Sequence, residues 1–381
     1  MGRHDAPATP PAPPGTFAVR VQRLAERLSE LGKGDSGAAV ISSLSNCRYL
    51  TNFSGSNALL VVAYGSTPEV TLITDGRYLG QAEEELSDLL ASGAVQVQIL
   101  DQAGKQAHRL AGELSSGRGA VFCEHAVVTH RDYTTLLDAL GDGAAPIDCS
   151  GTVERLRQVK GAYEIELLSS AAAIADAALA CVVPMVQDGV EELELAAELA
   201  SRMMALGAAG PAFQTIIGSG PNGALPHAHP TARKVRGGEP VVIDFGAEFA
   251  GYRSDCTRTV FAGGEAKEPE ALRAYHAVLE SQLAGVEALA EGVLSGVVDA
   301  ACRSSLPGEL APRFTHATGH SIGLEVHEEP ILRTGGEAIL RSGMVVTVEP
   351  GVYLPGRFGI RIEDTLLIEG SGCRPLTGQP K

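Results

Sequence analysis

Several features that would assign the chain to common protein classes are missing from its sequence. The seven cysteines are odd in number, widely spaced and without a CxxC pair, which argues against a disulfide framework or thiolate zinc site and favours a reducing cytoplasm. Acidic residues outnumber basic ones by 46 to 30, and the net charge of −16 argues against nucleic-acid or anionic-membrane partners. No apolar run approaches the length of a membrane span. The Pro/Ala-rich start, MGRHDAPATPPAPPGT, predicts a flexible tail over residues 1–15 and no secretory signal.

The length of 381 residues favours two domains. Over residues 16–150, strand-like segments such as EVTLIT and GAVFCE alternate with helical ones such as KQAHRLAGELSS, which predicts an α/β domain without a phosphate loop. The stretch RYLTNFSGS within it is turn-rich. Residues 151–381 begin with helical patterns over residues 164–183 and 190–204 and end in strands. We predict the domain boundary between residues 150 and 151.

Two segments share one arrangement: a strand, a glycine-containing bend and a second strand, with one carboxylate in each strand. Residues 241–261, VVIDFGAEFAGYRSDCTRTVF, carry Asp244 and Asp255, and residues 344–368 carry Glu349 and Glu363. A single carboxylate of this kind is most often a surface charge at a strand end. Four of them directed into one interior would repel one another unless bound cations balanced their charge. The repeated arrangement therefore favours a metal site.

Six of the ten histidines fall between residues 227 and 327, and three of them lie in THATGHSIGLEVHEEP beside glycines that allow close backbone approach. His320 is the natural fifth ligand. Four carboxylates and one imidazole form a hard, oxygen-rich set that suits manganese, cobalt or zinc. Five ligands exceed one tetrahedral site and fit two divalent ions that share carboxylates and a water.

With these motifs the second half of the chain resembles the pita-bread metallopeptidases, which include methionine aminopeptidase, aminopeptidase P and prolidase. The matching segments, in order, are SGPNGALPHAHPT, VVIDFGAEFAGYRSDCTRTV, GHSIGLEVHEEP, VVTVEPGVY and GIRIEDT. The first half, through RYLTNFSGS and its β/α rhythm, looks like the creatinase-type domain of the proline-specific branch. The resemblance implies an α+β pita-bread catalytic domain over residues 151–381, preceded by an α/β creatinase-like domain over residues 16–150. It also implies a homodimer.

The resemblance assigns roles to individual residues. Its dimetal ligands correspond here to Asp244, Asp255, His320, Glu349 and Glu363. Glu349 would also act as general base, His327 would donate a hydrogen bond to the developing oxyanion, and His227 would hold the substrate on its leaving-group side. His316 and Arg361 would orient these groups.

Simpler roles remain open for four residues near these motifs. His316 could equally be structural, and Arg361 could form only an ion pair with Glu363 or Asp364. We expect His229 to be a solvent-facing loop residue. Cys256 follows Asp255, and strand alternation directs it to the opposite face, where it would serve packing.

The expected activity is that of a cytoplasmic Xaa-Pro aminopeptidase acting on peptides with proline in second position. The near alternative is prolidase, which cleaves only Xaa-Pro dipeptides. Methionine aminopeptidase lacks such an N-terminal domain, and creatinase lacks the metal ligands. Non-catalytic binding proteins on this fold have lost ligands that are intact here.

One loop bears on the choice between aminopeptidase and dipeptidase. A dipeptidase must bind the free carboxylate of proline, usually through a bidentate arginine. Prolidases carry that arginine in the loop before the first metal-binding glutamate. Here the loop is ILRTGGEAILRSG, the expected position is Gly335, and the nearest arginines are Arg333 and Arg341. We therefore expect an open far side and longer substrates, unless a flexible loop brings Arg333 in.

Overall fold

A computed structural model of the chain describes residues 9–381, and these residues form two compact units, Pro11–Arg157 and Gln158–Lys381. Of the predicted flexible tail, residues 1–8 lie outside the described residues, and residues 9–13 have no regular secondary structure. The boundary between residues 150 and 151 stays a prediction.

The first unit is built around a mixed sheet. Its strands are β1 (Gly37–Ile41), β2 (Leu59–Tyr64), β3 (Glu69–Thr74), β4 (Gln96–Asp101), β5 (Ala120–Cys123) and β6 (Ile147–Asp148). Its helices are α1 (Thr16–Gly32), α2 (Leu44–Thr51), α3 (Leu79–Glu85), α4 (Ser87–Ser92), α5 (Lys105–Ser115), α6 (His130–Leu140) and α7 (Thr152–Arg157).

In this sheet the strands lie in the order β4-β3-β2-β1-β5-β6. β2 is antiparallel to both β1 and β3, and the remaining pairs are parallel. β1 and β2 are buried along their whole length, as their unbroken apolar sequences require. The stretch RYLTNFSGS is only partly a loop, because Ser43 accepts a hydrogen bond from the Asn46 amide and starts helix α2, which continues to Thr51.

The second unit carries helices α8 (Ala162–Val182), α9 (Glu192–Ala205), α10 (Pro269–Glu287) and α11 (Ser295–Ser305). Its strands are β7 (Gly210–Pro211), β8 (Ile216–Ser219), β9 (Pro240–Phe245), β10 (Ala247–Phe249), β11 (Tyr252–Arg253), β12 (Cys256–Phe261), β13 (Gly319–Ser321), β14 (Glu328–Leu332), β15 (Val345–Val348), β16 (Gly351–Leu354), β17 (Phe358–Arg361), β18 (Asp364–Glu369) and β19 (Gly372–Pro375). Short 3-10 turns lie at Val183–Met185, Gly220–Ala224, Ala262–Gly264 and Ala311–Arg313.

Antiparallel sheets make up this unit, in the orders β12-β9-β8, β14-β13-β15-β18-β19, β11-β10-β7 and β16-β17. Helix α10 packs against β15, β17 and α11, with Val278, Val348 and Ile360 fully buried in the shared core. Because strand side chains alternate, Arg361 faces away from this core on the opposite side from Ile360. On β17, the residues that pack in the apolar core thus place the neighbouring polar residue on the opposite face of the strand.

Helix α8 corrects one expectation from the sequence. Together with the turn after it, the segment Ala162–Met185 has 24 residues and is apolar enough to cross a membrane, judged by length and composition alone. The sequence predicts no apolar run of this length, yet alanine, leucine, isoleucine and valine make up most of α8, with Glu164, Glu166 and Asp176 as its acidic residues. Half of its most apolar window is buried inside the protein, as in a core helix, so a single helix of this kind is a weak indication of a span.

Candidate metal centre

The two segments with paired carboxylates fold as nested hairpins. In the first, β9 pairs with β12 and, inside that pair, β10 pairs with β11. In the second, β15 pairs with β18 and β16 with β17. Between the outer and inner pairs of the first hairpin, the backbone at Gly246 and the backbone at Ser254 approach each other closely. A Cβ at Gly246 would lie 1.9 Å from Ser254 O. Only glycine fits at this close approach.

Three of the four carboxylates lie where the chain passes between an outer strand pair and an inner one. Asp244 lies in β9, as predicted. Asp255, Glu349 and Glu363 lie instead in the short breaks between the outer and inner strands. The expectation of one carboxylate within every strand is therefore wrong for these three. The physical reason is that the backbone must leave one ladder to enter the next, and the residues at that point are free of strand pairing.

His320 comes from the neighbouring strand β13, which pairs with β15 through Ser321 and Val346. The backbone amide of His320 donates to Thr347 Oγ1 at 3.1 Å. Its ring Nδ1 lies 3.1 Å from Ser321 O, an arrangement that fixes the ring and leaves Nε2 to face the carboxylates.

Contacts around His320 define the centre of the cluster. Its Nε2 lies 3.4 Å from Glu349 Oε1 and 3.7 Å from Asp255 Oδ2. One potential ligand atom each of Asp255, His320 and Glu363 lies within 4.8 Å of the other two. These three residues are buried.

Asp244 is joined to the same cluster through two bridging side chains. Arg361 Nη2 donates to Asp244 Oδ2 at 2.6 Å, and its Nε donates to Thr257 Oγ1 at 3.1 Å. The Thr257 hydroxyl then donates to Glu363 Oε2 at 2.7 Å. The structure therefore brings together all five residues that the sequence proposes as metal ligands.

The electrostatics of the cluster are unfavourable for the side chains alone. Burial, and then neighbouring carboxylates, raise the pKa of Asp255 and Glu363 well above their ordinary values. Burial also opposes ionisation of Glu349, but its hydrogen bond to His320 and the charge of that imidazole prevail and lower the Glu349 pKa to about 2. Although burial lowers the pKa of His320, Glu349 outweighs it and raises that pKa. The four carboxylates need more positive charge than one imidazole and one guanidinium supply.

Two carboxylate oxygens identify where a cation would bind. Asp244 Oδ1 and Glu363 Oε1 are buried and have no hydrogen-bond partner among residues 9–381, whereas the second oxygen of each is bonded to Arg361 or Thr257. A buried carboxylate oxygen without a donor is costly. Divalent cations would satisfy such oxygens, and the oxygen-rich set with one imidazole nitrogen fits manganese, cobalt or zinc. The residues present fit the predicted metals.

Arg361 also organises the surroundings of the cluster. Its Nη1 donates to Tyr353 Oη at 2.7 Å, and Tyr353 Oη lies 2.9 Å from His316 Nε2. His316 is therefore connected to the cluster, and burial lowers its pKa, which favours the neutral ring. The simpler alternative for Arg361, pairing with Glu363 or Asp364, is wrong, because its carboxylate partner is Asp244.

Asp364 does not pair with Arg361, because its carboxylate pairs with Arg258 instead. It accepts from Arg258 Nη2 at 2.8 Å.

His327 and His227 lie beside the cluster on different segments. The His327 and His320 rings are 4.4 Å apart between centroids, and burial together with the neighbouring His320 lowers the His327 pKa. His227 is exposed and follows Pro226, whose carbonyl accepts from Arg361 Nη1 at 3.1 Å. His229 is exposed, as expected for a loop residue.

Arg333 follows the end of β14 and is exposed. In the β13–β14 ladder His320 lies opposite Ile331, and Arg333 follows two residues later, just past the end of the strand at Leu332. The following loop is fastened to helix α11: Gly296 N–H donates to Gly336 O at 3.0 Å and Ser295 N–H to Ala338 O at 2.8 Å.

Three residues whose side chains contact the side chain of a proposed ligand or of Arg361 escaped the sequence reasoning. Thr257 bonds to Glu363, and Thr347 Oγ1 lies 3.3 Å from Glu349 Oε1. Each threonine is two positions from a proposed ligand, a spacing that could have identified both. Tyr353 lies in the inner strand β16, and its contact with His316 depends on the nested pairing, so spacing gave no signal for it.

The chain is similar to known proteins in its family-model matches, in its sequence relatives and in its fold. Residues 166–370 match the sequence model of metallopeptidase family M24, and residues 20–159 match that of the Creatinase/Prolidase N-terminal domain. An uncharacterized peptidase of Bacillus subtilis is 33% identical over 365 residues, which cover 95% of this chain and 99% of the relative. The structure of Xaa-Pro dipeptidase from Bacillus anthracis superposes with a TM-score of 0.85 at 34% identity, covering 96% of this chain and 98% of that one. X-Pro aminopeptidase from Thermotoga maritima gives a TM-score of 0.81 at 32% identity, covering 93% and 98%.

Proposed function

Because the chain belongs to metallopeptidase family M24, we propose that it is an exopeptidase that releases an N-terminal residue preceding proline. The observation that carries this proposal is the single cluster of four carboxylates and one imidazole, with two buried carboxylate oxygens that lack a donor among residues 9–381. The similar Xaa-Pro dipeptidase and X-Pro aminopeptidase structures support the choice of substrate class.

The proposed ligands of two divalent ions are Asp244, Asp255, His320, Glu349 and Glu363. When bound, such ions polarise a substrate carbonyl and lower the pKa of water. Manganese, cobalt and zinc all suit these ligands.

The chain's own side chains have protonation states that suit their proposed roles. Its hydrogen bond to His320 lowers the Glu349 pKa, so Glu349 is ionised at neutral pH, as a metal ligand and a proton acceptor must both be. His327 has a lowered pKa, so its neutral ring can donate an N–H to the developing oxyanion. His316, held by Tyr353, would orient groups at the substrate, and exposed His227 would contact the leaving-group side.

We propose that longer peptides are accepted, as by an aminopeptidase. Gly335 stands where an arginine for the proline carboxylate is expected. A Cβ at Gly335 would meet no other atom within 4 Å, so space is open at this position. An open far side leaves room for residues after proline.

A dipeptidase is the second candidate, and Arg333 is the observation that favours it. This exposed arginine directly follows β14, which pairs with the strand of His320, and could bind the free carboxylate of an Xaa-Pro dipeptide. The likeness to Xaa-Pro dipeptidase supports the same alternative.

One experiment separates the two activities. kcat/KM is measured for an Xaa-Pro dipeptide and an Xaa-Pro-Xaa tripeptide with wild type, Arg333→Ala and the control Arg341→Ala. We expect the tripeptide to be cleaved at least as well as the dipeptide, and neither variant to change the ratio. A wild type that cleaves only the dipeptide, with that activity lost in Arg333→Ala alone, would make the protein a dipeptidase. Removal of metal by a chelator should abolish cleavage of both peptides, and Mn²⁺, Co²⁺ or Zn²⁺ should restore it.

We also propose a cytoplasmic homodimer. All seven cysteines are free thiols, which supports a reducing compartment. Light scattering coupled to size-exclusion chromatography would test the dimer, and a monomeric mass would reject it.

A further inference from the structure

Helix α11 carries a buried carboxylate, Asp299, that joins separate segments of the unit. It is 1% exposed. Its Oδ1 accepts from the Thr318 hydroxyl at 2.9 Å, and its Oδ2 accepts from Arg303 Nε at 2.8 Å and from the Thr334 hydroxyl at 2.7 Å. Donors from α11, from the segment before β13 and from the loop after β14 thus satisfy this one carboxylate.

Arg303, one turn further along α11, extends the connection to the segment before β13. Its Nη1 donates to Phe314 O at 2.9 Å and its Nη2 to His316 O at 2.5 Å. The guanidinium also lies 4.2 Å from the centroid of the Phe314 ring. The backbone that carries His316 is therefore fixed to helix α11.

Thr318 leads from Asp299 to the proposed metal ligands. Its carbonyl accepts from the Glu349 amide at 2.7 Å, and its own amide donates to Leu332 O at 2.8 Å. It precedes His320 by two residues. A shift of Thr318 would move the backbone of both His320 and Glu349, and we call this connection the Thr318 arm.

Thr334 leads from Asp299 to the loop over residues 333–336. It follows Arg333, whose carbonyl accepts from the Gly336 amide at 2.9 Å. Thr334 is otherwise exposed, so its hydroxyl ties a surface loop to a buried carboxylate. We call this connection the Thr334 arm.

We propose that Asp299 is a positioning residue that holds the metal-ligand strand and the 333–336 loop in a fixed relation, through two separable arms. The Thr318 arm sets the geometry of His320 and Glu349, and the Thr334 arm sets the loop on the substrate's far side. The second part rests on the proposed function, since it requires the loop to face a peptide. The first part concerns only the ligands.

The test removes each arm by an isosteric change, Thr318→Val or Thr334→Val. The matched control is Thr315→Val, which changes an exposed threonine on the same segment. Co²⁺ affinity is measured by calorimetry on demetallated protein. kcat and KM for an Xaa-Pro-Xaa tripeptide are measured at saturating Co²⁺, and melting temperature is recorded for each variant.

Thr318→Val should weaken Co²⁺ binding by about 10-fold or more, as for loss of other groups that orient metal ligands. Thr334→Val should leave Co²⁺ affinity unchanged and raise KM about tenfold, the equivalent of one hydrogen bond. Thr334→Ser should restore the wild-type KM. Variants that lower only the melting temperature, with Co²⁺ affinity and KM equal to those of Thr315→Val, would overturn the proposal.

Failure of the proposed function would give a different combination of Co²⁺ binding and peptide cleavage. A wild type that binds Co²⁺ but cleaves no Xaa-Pro peptide would reject the function. Co²⁺ affinity alone then decides the inference: weaker binding in Thr318→Val supports it, and unchanged binding overturns it.

Discussion

Arg361 Nη2 donates a 2.6 Å hydrogen bond to Asp244 Oδ2 and so joins the second nested hairpin to the first. The same guanidinium donates to Tyr353 Oη and Pro226 O, so one buried cation joins the segment before His227, the inner strand β16 and a proposed ligand. It also determines which Asp244 oxygen stays available, because only Oδ1 is left without a donor among residues 9–381.

Replacing Arg361 by lysine keeps the charge but cannot reproduce four hydrogen bonds in a planar fork. We expect Arg361→Lys to lower kcat/KM by about 10–100-fold at saturating metal, because Asp244 loses its fixed orientation. The free energy of unfolding should fall by about 2 kcal/mol through lost buried hydrogen bonds. The control is Arg357→Lys in the same hairpin, where an exposed arginine pairs with Glu268 and Glu270. Equal kcat/KM in both variants would contradict the proposed role.

Asp255→Asn and His327→Ala should fail in different ways. Asp255→Asn removes a charged ligand, so bound metal measured by mass spectrometry should fall together with activity. His327→Ala should retain metal and lose about 10²–10³-fold in kcat, as expected for a group that stabilises the oxyanion. His229→Ala, on an exposed neighbouring loop, is the control and should behave as wild type. Unchanged kcat in His327→Ala would assign the donor to another group.

The stability contribution of Asp299 should depend on pH. Burial opposes its ionisation, but hydrogen bonds from Arg303, Thr334 and Thr318 outweigh burial and lower its pKa. A carboxyl whose pKa is depressed by folding contributes stability above its unfolded pKa of about 3.9, and loses it as pH falls through the folded pKa. The difference in unfolding free energy between wild type and Asp299→Asn should therefore be constant above about pH 5 and shrink below about pH 4. Denaturant titrations from about pH 7 down to about pH 3 check this, and a difference independent of pH would attribute the effect to shape alone.

Cys256 should be unreactive although it adjoins Asp255. It is fully buried, and burial raises the pKa of its thiol well above the ordinary value. Iodoacetamide under native conditions should label exposed Cys181 and leave Cys256 unmodified, with peptidase activity retained. Peptide mapping locates the label. Activity lost in step with labelling of Cys256 would contradict its role in packing.

The fold class followed from the family resemblance, and the alternation of strands and helices in the first domain followed from sequence periodicity. The fold class, an α/β creatinase-like domain before an α+β pita-bread domain, is confirmed by both family matches and by the structural likeness. β3 has the same limits as the predicted strand EVTLIT. The start of α8 differs from the predicted helix, because Gly161 caps it and the Glu164 carboxylate accepts from the Gly161 amide. Such capping depends on local geometry that apolar spacing does not report.

The site was predictable only where residues share a motif. Asp255 and Glu363 were proposed as ligands because each stands in a recognisable segment, and the structure brings them together. The nested pairing was not predictable, since the same sequence of strand, bend and strand is compatible with one continuous hairpin. For that reason the breaks at Glu349 and Glu363, and the contact of Tyr353 with Arg361, became visible only in three dimensions.

The contact between Arg361 and Asp244 spans 117 positions in the chain. Closing so long a loop costs entropy, and such long-range contacts form slowly. A ribosome delivers Asp244 and Asp255 well before Glu349 and Glu363, so a growing chain offers metal ions only a fragment of the proposed ligand set. Tight metal uptake would therefore have to wait until the second hairpin has been synthesised and has docked. Loading with metal would thus report that this unit has finished folding.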